Sequence, residues 1–461
     1  MNRAAKCVML GLFLISLVSP LSPGFAAEPK EWTWLAYINA DNDLDVNAPK
    51  DLDEMSKIGS NNWLNIVTFV DRVEAGATLN YIEQGNIKEL KSLGQVDSGD
   101  YKFFIDQVKD MMTQFPAKHY VLVVWDHGSG WKSQQKTGIK GISHDWSTGS
   151  SISTEQLGVA MAEIKKSLGR NIDILAMDAC FMQMMEVAYV VKDSCDFIAG
   201  SEAGIPLYGF PYRQILKALK ADISARNFVP KLVAEFANSY HGGSQGREAT
   251  TISALDCSKL NDLKDALDGF AKASMAGSYA SQFENARSKV KTFDEPCNNI
   301  DLWHLLTLLR ENIQDEAFQT AAVKLDGALK AAIIANAITN LPNYTQINAN
   351  GLAIYFPKQS HWLSGDYLLT PFAENSLWDE MLQDYYKKLT VTSVMADIEK
   401  GDVTGLKNYV KNIATFDPEI GQYLIEKINF RIFSENMTAQ SMQTEVAGLI
   451  KELGNKISDM R

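Results

Sequence analysis

Polar and apolar positions in this chain follow two rhythms. Short apolar blocks, often β-branched, occupy residues 31–39, 64–70, 120–125, 172–177 and 197–200, each bounded by glycine or by polar turn formers. Blocks of this kind read as buried strands. Between them, residues 48–58, 101–114, 153–168 and 182–191 carry apolar side chains at helical spacing; in the second, the stripe is Phe103, Phe104, Val108, Met111 and Met112. Residues 77–84, after Gly76, read as the hairpin companion of strand 64–70. Strand, helix and strand in succession predict an α/β fold with a mostly parallel sheet flanked by helices. Further along, strands are expected at 251–255 and 351–356, and helices at 262–274, 300–310 and 316–338. From about residue 388 the pattern is helical and charged without reactive-looking side chains, which predicts a helical C-terminal accessory segment, 388–461, behind a main domain, 28–387.

The amino terminus changes the setting. Arg3 and Lys6 precede an apolar run over residues 7–18, then Pro20, Pro23 and the small-residue end Gly24-Phe25-Ala26-Ala27. That order is the layout of a secretory signal peptide, 1–27, cut after Ala26 or Ala27, and the run is too short for a membrane anchor. The expectation is an exported protein, periplasmic or secreted, without a transmembrane anchor. The chain's 461 residues are 46% apolar and 22% charged, an ordinary globular balance. Its formal charge of −12 repels phosphate backbones and argues against nucleic acid as a partner. Loss of Cys7 with the signal leaves Cys180, Cys195, Cys257 and Cys297. Four cysteines allow three pairings, yet there is no CxxC spacing, and Cys195, Cys257 and Cys297 read as small buried hydrophobes.

Chemistry concentrates where two strand-like blocks end. Block 120–125 runs into Asp126-His127-Gly128-Ser129-Gly130-Trp131, and block 172–177 runs into Asp178-Ala179-Cys180. In open parallel sheets ligand chemistry gathers beyond the carboxyl ends of strands. His127 and Cys180 therefore meet over one edge as an acid/base group and a thiol nucleophile. A helix opening near Phe181 would set its positive end beside the thiol. The amide of Gly128 suits an oxyanion donor, since no side chain obstructs it. Asp178, two residues before Cys180 on the same face of an extended chain, reads either as a pocket floor for a basic substrate side chain or as a cap of the Phe181 helix. His119, His144, His241, His304 and His361 lack such a loop and read as structural or surface residues. A zinc site from His127, Cys180, Asp126 and Asp178 lacks metal-site spacing, so no metal is assigned.

Five stretches carry a resemblance. They are Asn39-Ala40-Asp41-Asn42-Asp43-Leu44, the block from Val124 to Trp131, the block from Met177 to Ala188, Ser201-Glu202 with Gly209-Phe210-Pro211-Tyr212, and Gly351-Leu352-Ala353-Ile354-Tyr355-Phe356-Pro357. Together they resemble the clostripain-like cysteine peptidases, family C11 of clan CD, bacterial relatives of caspases, legumain and gingipains, over roughly residues 31–387. The resemblance implies a caspase-like sheet with Cys180 as nucleophile, His127 as acid/base group, and the backbone amides of Gly128 and Cys180 as oxyanion hole. It implies that Asp178 is the acidic residue associated with cleavage after Arg or Lys. Relatives often mature by a cut between the histidine and cysteine blocks, which makes Lys132, Lys136 and Lys140 candidate self-cleavage points. No cofactor is needed for the chemistry; calcium stimulates some relatives, and no ligand set is assigned here. No third residue orienting His127 is assigned either. Two departures stand out: residues 203–210 carry no acidic side chain after Glu202, and Ser129 stands where relatives often have glycine.

The expectation is thus a monomeric, secreted cysteine endopeptidase acting on peptides or proteins. The alternatives are a catalytically silent binding protein on the same fold, and a transpeptidase or ligase using the same thioester.

Overall fold

The computed structural model describes residues 28–131, 141–293, 298–360, 363–399 and position 448. The signal peptide, Lys132, Lys136, Lys140, Cys297, His361 and most of the carboxy-terminal segment lie outside the described residues. Nine strands form the central sheet. In chain order they are β1 Lys30–Ala40, β2 Leu64–Arg72, β3 Ala77–Glu83, β4 Asn86–Gly94, β5 Ala117–Trp125, β6 Ile172–Asp178, β7 Cys195–Gly200, β8 Thr251–Asp256 and β9 Ile333–Ile338. Their spatial order is β9-β8-β7-β6-β5-β1-β2-β3-β4. The centre, from β2 to β7, is parallel, and antiparallel strands extend it on both sides.

Alternation along the parallel strands sorts the core into two layers. Leu35, Tyr37, Phe69, Leu122, Val124, Leu175 and Met177 face one side. There they pack against α2 (Tyr101–Gln114), α3 (Thr154–Leu168) and α4 (Met185–Val191), with further helices beyond. Trp34, Ile38, Val121, Val123, Trp125, Ile174 and Ala176 face the other, under α1 (Ala48–Ser56), α5 (Tyr212–Ala218) and α6 (Ala225–Tyr240). The helix starts follow local chemistry: Asp100 caps α2 through Lys102 N, and Ser153 with Gln156 forms a capping box on α3, which ends at left-handed Gly169.

Several expectations need correction. Residues 333–338 were expected inside a helix, but that helix stops at Ala332 and the Ile-rich end becomes β9, paired antiparallel with β8. No glycine or proline separates the two, so pairing with a neighbouring strand decides what local propensity leaves open. Strand 351–356 is shorter, Ala353–Tyr355, and pairs with Asn299–Asp301 outside the central sheet. The helix expected near Phe181 begins only at Met185; Phe181 itself has φ 61°, in the left-handed region, so no helix end adjoins the thiol. A further helix covers Trp378–Glu399. Among the described residues no helix is long and apolar enough to cross a membrane.

Candidate functional site

Parallel pairing of β5 with β6 sets Trp125 opposite Asp178, and the Asp126 amide donates to the Asp178 carbonyl at 3.3 Å. The register therefore places His127 and Cys180 at matching steps beyond two adjacent strands. The two loops touch through backbone. A Cβ on Gly128 would collide with the Cys180 carbonyl and sit 3.1 Å from its amide nitrogen, so a side chain there would force the loops apart. The backbones that carry the expected oxyanion donors thus lie side by side.

The structure adds a partner for His127. Its Nε2 lies 2.7 Å from Oδ1 of Asp43, on the loop after β1. A carboxylate accepts, so Nε2 carries the hydrogen and the neutral ring keeps its lone pair on Nδ1, ready to take a proton. Asp43 was missed because the loop offers several acidic residues and spacing does not single one out. Asn42 anchors that loop by donating to Asp126 Oδ1 at 2.8 Å and to the His144 carbonyl at 2.9 Å. Asp126 also accepts from the His144 amide, and burial pushes its carboxyl upward against these donors. Asp126 holds the framework together, and no three of the residues weighed for zinc bring ligand atoms together.

Around Cys180 the donors come from loop backbone. The Ile205 amide lies 3.2 Å from Sγ, a bond that strengthens toward a thiolate. Phe181 N to Ala203 O (3.1 Å) and Gln183 N to Ser201 O (3.0 Å) lace the same loop to the segment after Cys180. Ser129, the departure noted above, is buried and accepts from the Gly141 amide at 2.9 Å, while its own amide donates to the Gly141 carbonyl at 2.8 Å. It pins together the two ends of the 132–140 segment.

Asp178, at the end of β6, faces the α1/α5/α6 side, only 4% exposed. Its Oδ2 accepts from the Phe210 amide at 2.9 Å and the Tyr212 hydroxyl at 2.8 Å. Gly209 passes so close, at φ 59°, that a Cβ would lie 2.8 Å from the same oxygen. Burial, opposed by those donors, holds the Asp178 carboxyl up at about 7. It does not cap α4, whose start has no side-chain cap.

Glu202 points away from the site: it is buried and accepts from the Gly351 amide at 2.9 Å. Glu186 on α4 accepts from the Tyr355 amide at 2.9 Å and the Tyr367 hydroxyl at 3.0 Å. The five sequence blocks, far apart in the chain, thus converge on one edge. Among the described histidines, His119 meets Asp173 at 2.6 Å and His304 accepts from the Lys291 amide. Cys195 and Cys257 are buried thiols 3.6 Å apart.

A profile of the clostripain family (peptidase C11) matches residues 36–385. Clostripain of Hathewaya histolytica is 27% identical over 302 residues, covering 52% of this chain and 55% of that protein. The chain thus aligns with about half the length of this relative. A secreted C11 cysteine protease from Bacteroides thetaiotaomicron, solved with an irreversible peptide inhibitor, superposes with TM-score 0.60 at 20% identity, over 76% of this chain and 99% of that one. An inactive zymogen C11 protease from Parabacteroides distasonis gives TM-score 0.58 at 20% identity, over 75% and 98%. At that identity the two structures establish the shared caspase-like fold.

Proposed function

Because the chain belongs to the clostripain family, we propose that it is a cysteine endopeptidase in which Cys180 and His127 cleave peptide bonds, with a preference for Arg or Lys before the cut. The observation that carries this reading is the register of β5 and β6, which sets the two side chains beyond neighbouring strands with Asp43 behind the histidine. The Cys180 thiol gives its proton to Nδ1 of His127 and its sulfur attacks the scissile carbonyl. The negative oxygen that forms is met by the Gly128 and Cys180 amides. Collapse breaks the C–N bond, and His127 returns the proton to the leaving amine. A water, deprotonated by His127, then hydrolyses the thioester and restores the thiol.

Preference for a basic side chain rests on Asp178, the nearest buried carboxylate on the chain to the nucleophile. Self-processing within 132–140 accords with the framework on either side of it. Ser129 and Gly141 are hydrogen-bonded to each other, and β5 and β6 pair in the sheet centre, so a cut chain would stay in one body. The family and the apolar amino terminus support export.

Short fluorogenic peptides ending in Arg, Lys or an uncharged residue test the reading. The wild-type chain should turn over the basic ones, and Cys180→Ala should lose roughly 10³-fold or more. Turnover unaffected by Cys180→Ala, or none on any peptide, would remove the peptidase assignment. Intact mass of both proteins reads self-processing: a Cys180-dependent cut within 132–140 is expected, and one unchanged chain in both would reject it.

A further inference from the structure

At the end of the sheet away from the reactive residues, two thiols meet. β7 opens at Cys195, beside Ile172 at the start of β6, whereas Cys180 lies beyond the end of β6. β8 runs antiparallel to β7 and pairs Asp256 with Phe197, so the next residue, Cys257, returns to the end where Cys195 stands. There the chain leaves the strand as a short 3-10 turn, Cys257–Lys259. Both side chains belong to the core layer of Leu175 and Met177, and their sulfurs are 3.6 Å apart. Cys195 is fully buried and Cys257 is 5% exposed.

That separation is van der Waals contact between sulfurs, and a disulfide needs about 2.05 Å. Each sulfur has to move by about 0.8 Å, which rotation of the two side chains supplies. The fold thus brings together two cysteines 62 positions apart in sequence.

We propose that Cys195 and Cys257 form a structural disulfide when the chain folds in an oxidising compartment, joining β7 to the chain that leaves β8. One thiolate attacks a disulfide of that compartment and releases one of its thiols; the second thiolate then displaces the other. Two S–H bonds are exchanged for one S–S bond, and two electrons and two protons pass to the reduced thiol pair. The hydrogen bond with Cys195, together with burial, holds the Cys257 thiol well above the usual thiol range, so it is a poor nucleophile once packed. The bond therefore forms while β7 and β8 are still closing, and the core afterwards shields it from exchange. It also removes two thiols that could mispair with Cys180. The far ends of the same two strands carry the loop beside that residue: Ser201 Oγ meets Thr251 Oγ1 at 2.8 Å, and the Ile205 amide reaches the Cys180 sulfur. The proposal rests on the export reading and is independent of the peptidase reading.

The test uses the chain from Glu28 onward carrying Cys180→Ala, sent to an oxidising compartment by an unrelated secretion signal. Neither turnover, self-cleavage nor the protein's own leader then enters the readout. After alkylation in denaturant without reductant, proteolysis should give one linked pair of peptides holding Cys195 and Cys257. That pair should be two hydrogens lighter than the separate peptides together, and Cys297 should be alkylated. Alkylation of Cys195 and Cys257 in most of the protein, or linkage of either to Cys297, would overturn the proposal. Cys195→Ala and Cys257→Ala should each lower the unfolding temperature by roughly 5 °C, and the double variant by no more, because all break one bond. Unfolding in reductant should bring the parent down to the same level and leave the variants unmoved. Additive losses that reductant does not reproduce would mark the pair as two packed thiols and overturn the bond.

Discussion

Asp178 ends β6 on one face of the sheet, while Asp41 and Asp71 stand at the ends of β1 and β2 on the other, and the contrast between them is chemical. Asp178 lies among donors: the Phe210 amide and the Tyr212 hydroxyl share one oxygen, and Gly209 packs against it. Asp41 and Asp71 are as deeply buried but stand among like charges, with oxygens of Asp41, Asp71 and Asp145 within 4.8 Å of one another. Burial alone therefore does not tell what a carboxylate is for. A satisfied one shapes a loop and offers a charge locally; crowded ones raise one another's cost of ionisation.

The sharpest way to break this contrast is at Asp178. Asp178→Asn should lower kcat/KM for Arg and Lys peptides by about 10- to 100-fold while uncharged peptides stay within a few-fold. Parallel loss on every peptide would make Asp178 a loop anchor and nothing more. Next comes pH. With Asp178 titrating at about 7, its charged fraction grows about tenfold from pH 6 to pH 8. The ratio of kcat/KM for Arg over uncharged peptides should rise by about that factor, and a flat ratio in the wild type would contradict the role.

The same shift bears on stability. The folded carboxyl holds its proton up to about 7, whereas an ordinary one loses it near 3.8, so the native state binds more protons between these values. The contribution of Asp178 is fully present below pH 4 and is lost as pH rises through 7. Thermal melts of wild type and Asp178→Asn should therefore diverge across that window.

A smaller effect is expected on the histidine side. Asp43→Asn should lower kcat by about 3- to 10-fold at unchanged KM, and Asp43→Glu should restore part of it, because an exposed carboxylate orients the ring without joining the reaction. The smallest concerns the crowded pair. Asp71→Asn should unfold at slightly higher denaturant than wild type, by about 1 kcal/mol, since it removes a buried charge. Destabilisation by that change would show that its neighbours compensate the charge.

The strands, and the adjacency of the loops carrying His127 and Cys180, were legible in the sequence because short apolar blocks ending in glycine-marked loops leave few alternatives. The helix capped by Ser153 was legible for a similar reason, its start being written in local chemistry. What escaped depended on tertiary pairing. β4 is exposed along its length and carries Lys88, Glu89 and Lys91, so no apolar rhythm announced it; such charges suit an edge strand. β9 continued a helical pattern and became a strand only because β8 was there to pair with. At the site, His127 and Cys180 were readable from their blocks, whereas the Asp43 contact and the meeting of Asp41, Asp71 and Asp145 arise from loops of distant strands. The helix expected at Phe181 failed because the chain first passes through a left-handed residue.

The loops around Cys180 lean on a distant part of the chain: the Ala353 amide donates to the Gln183 carbonyl at 3.0 Å, and the Gly351 amide to Glu202 at 2.9 Å. Contacts of such separation form late, after much of the chain has already collapsed. A chain ending before residue 351 would lack the support that shapes the cysteine loop. On the proposed function, competence then arrives only toward the close of synthesis.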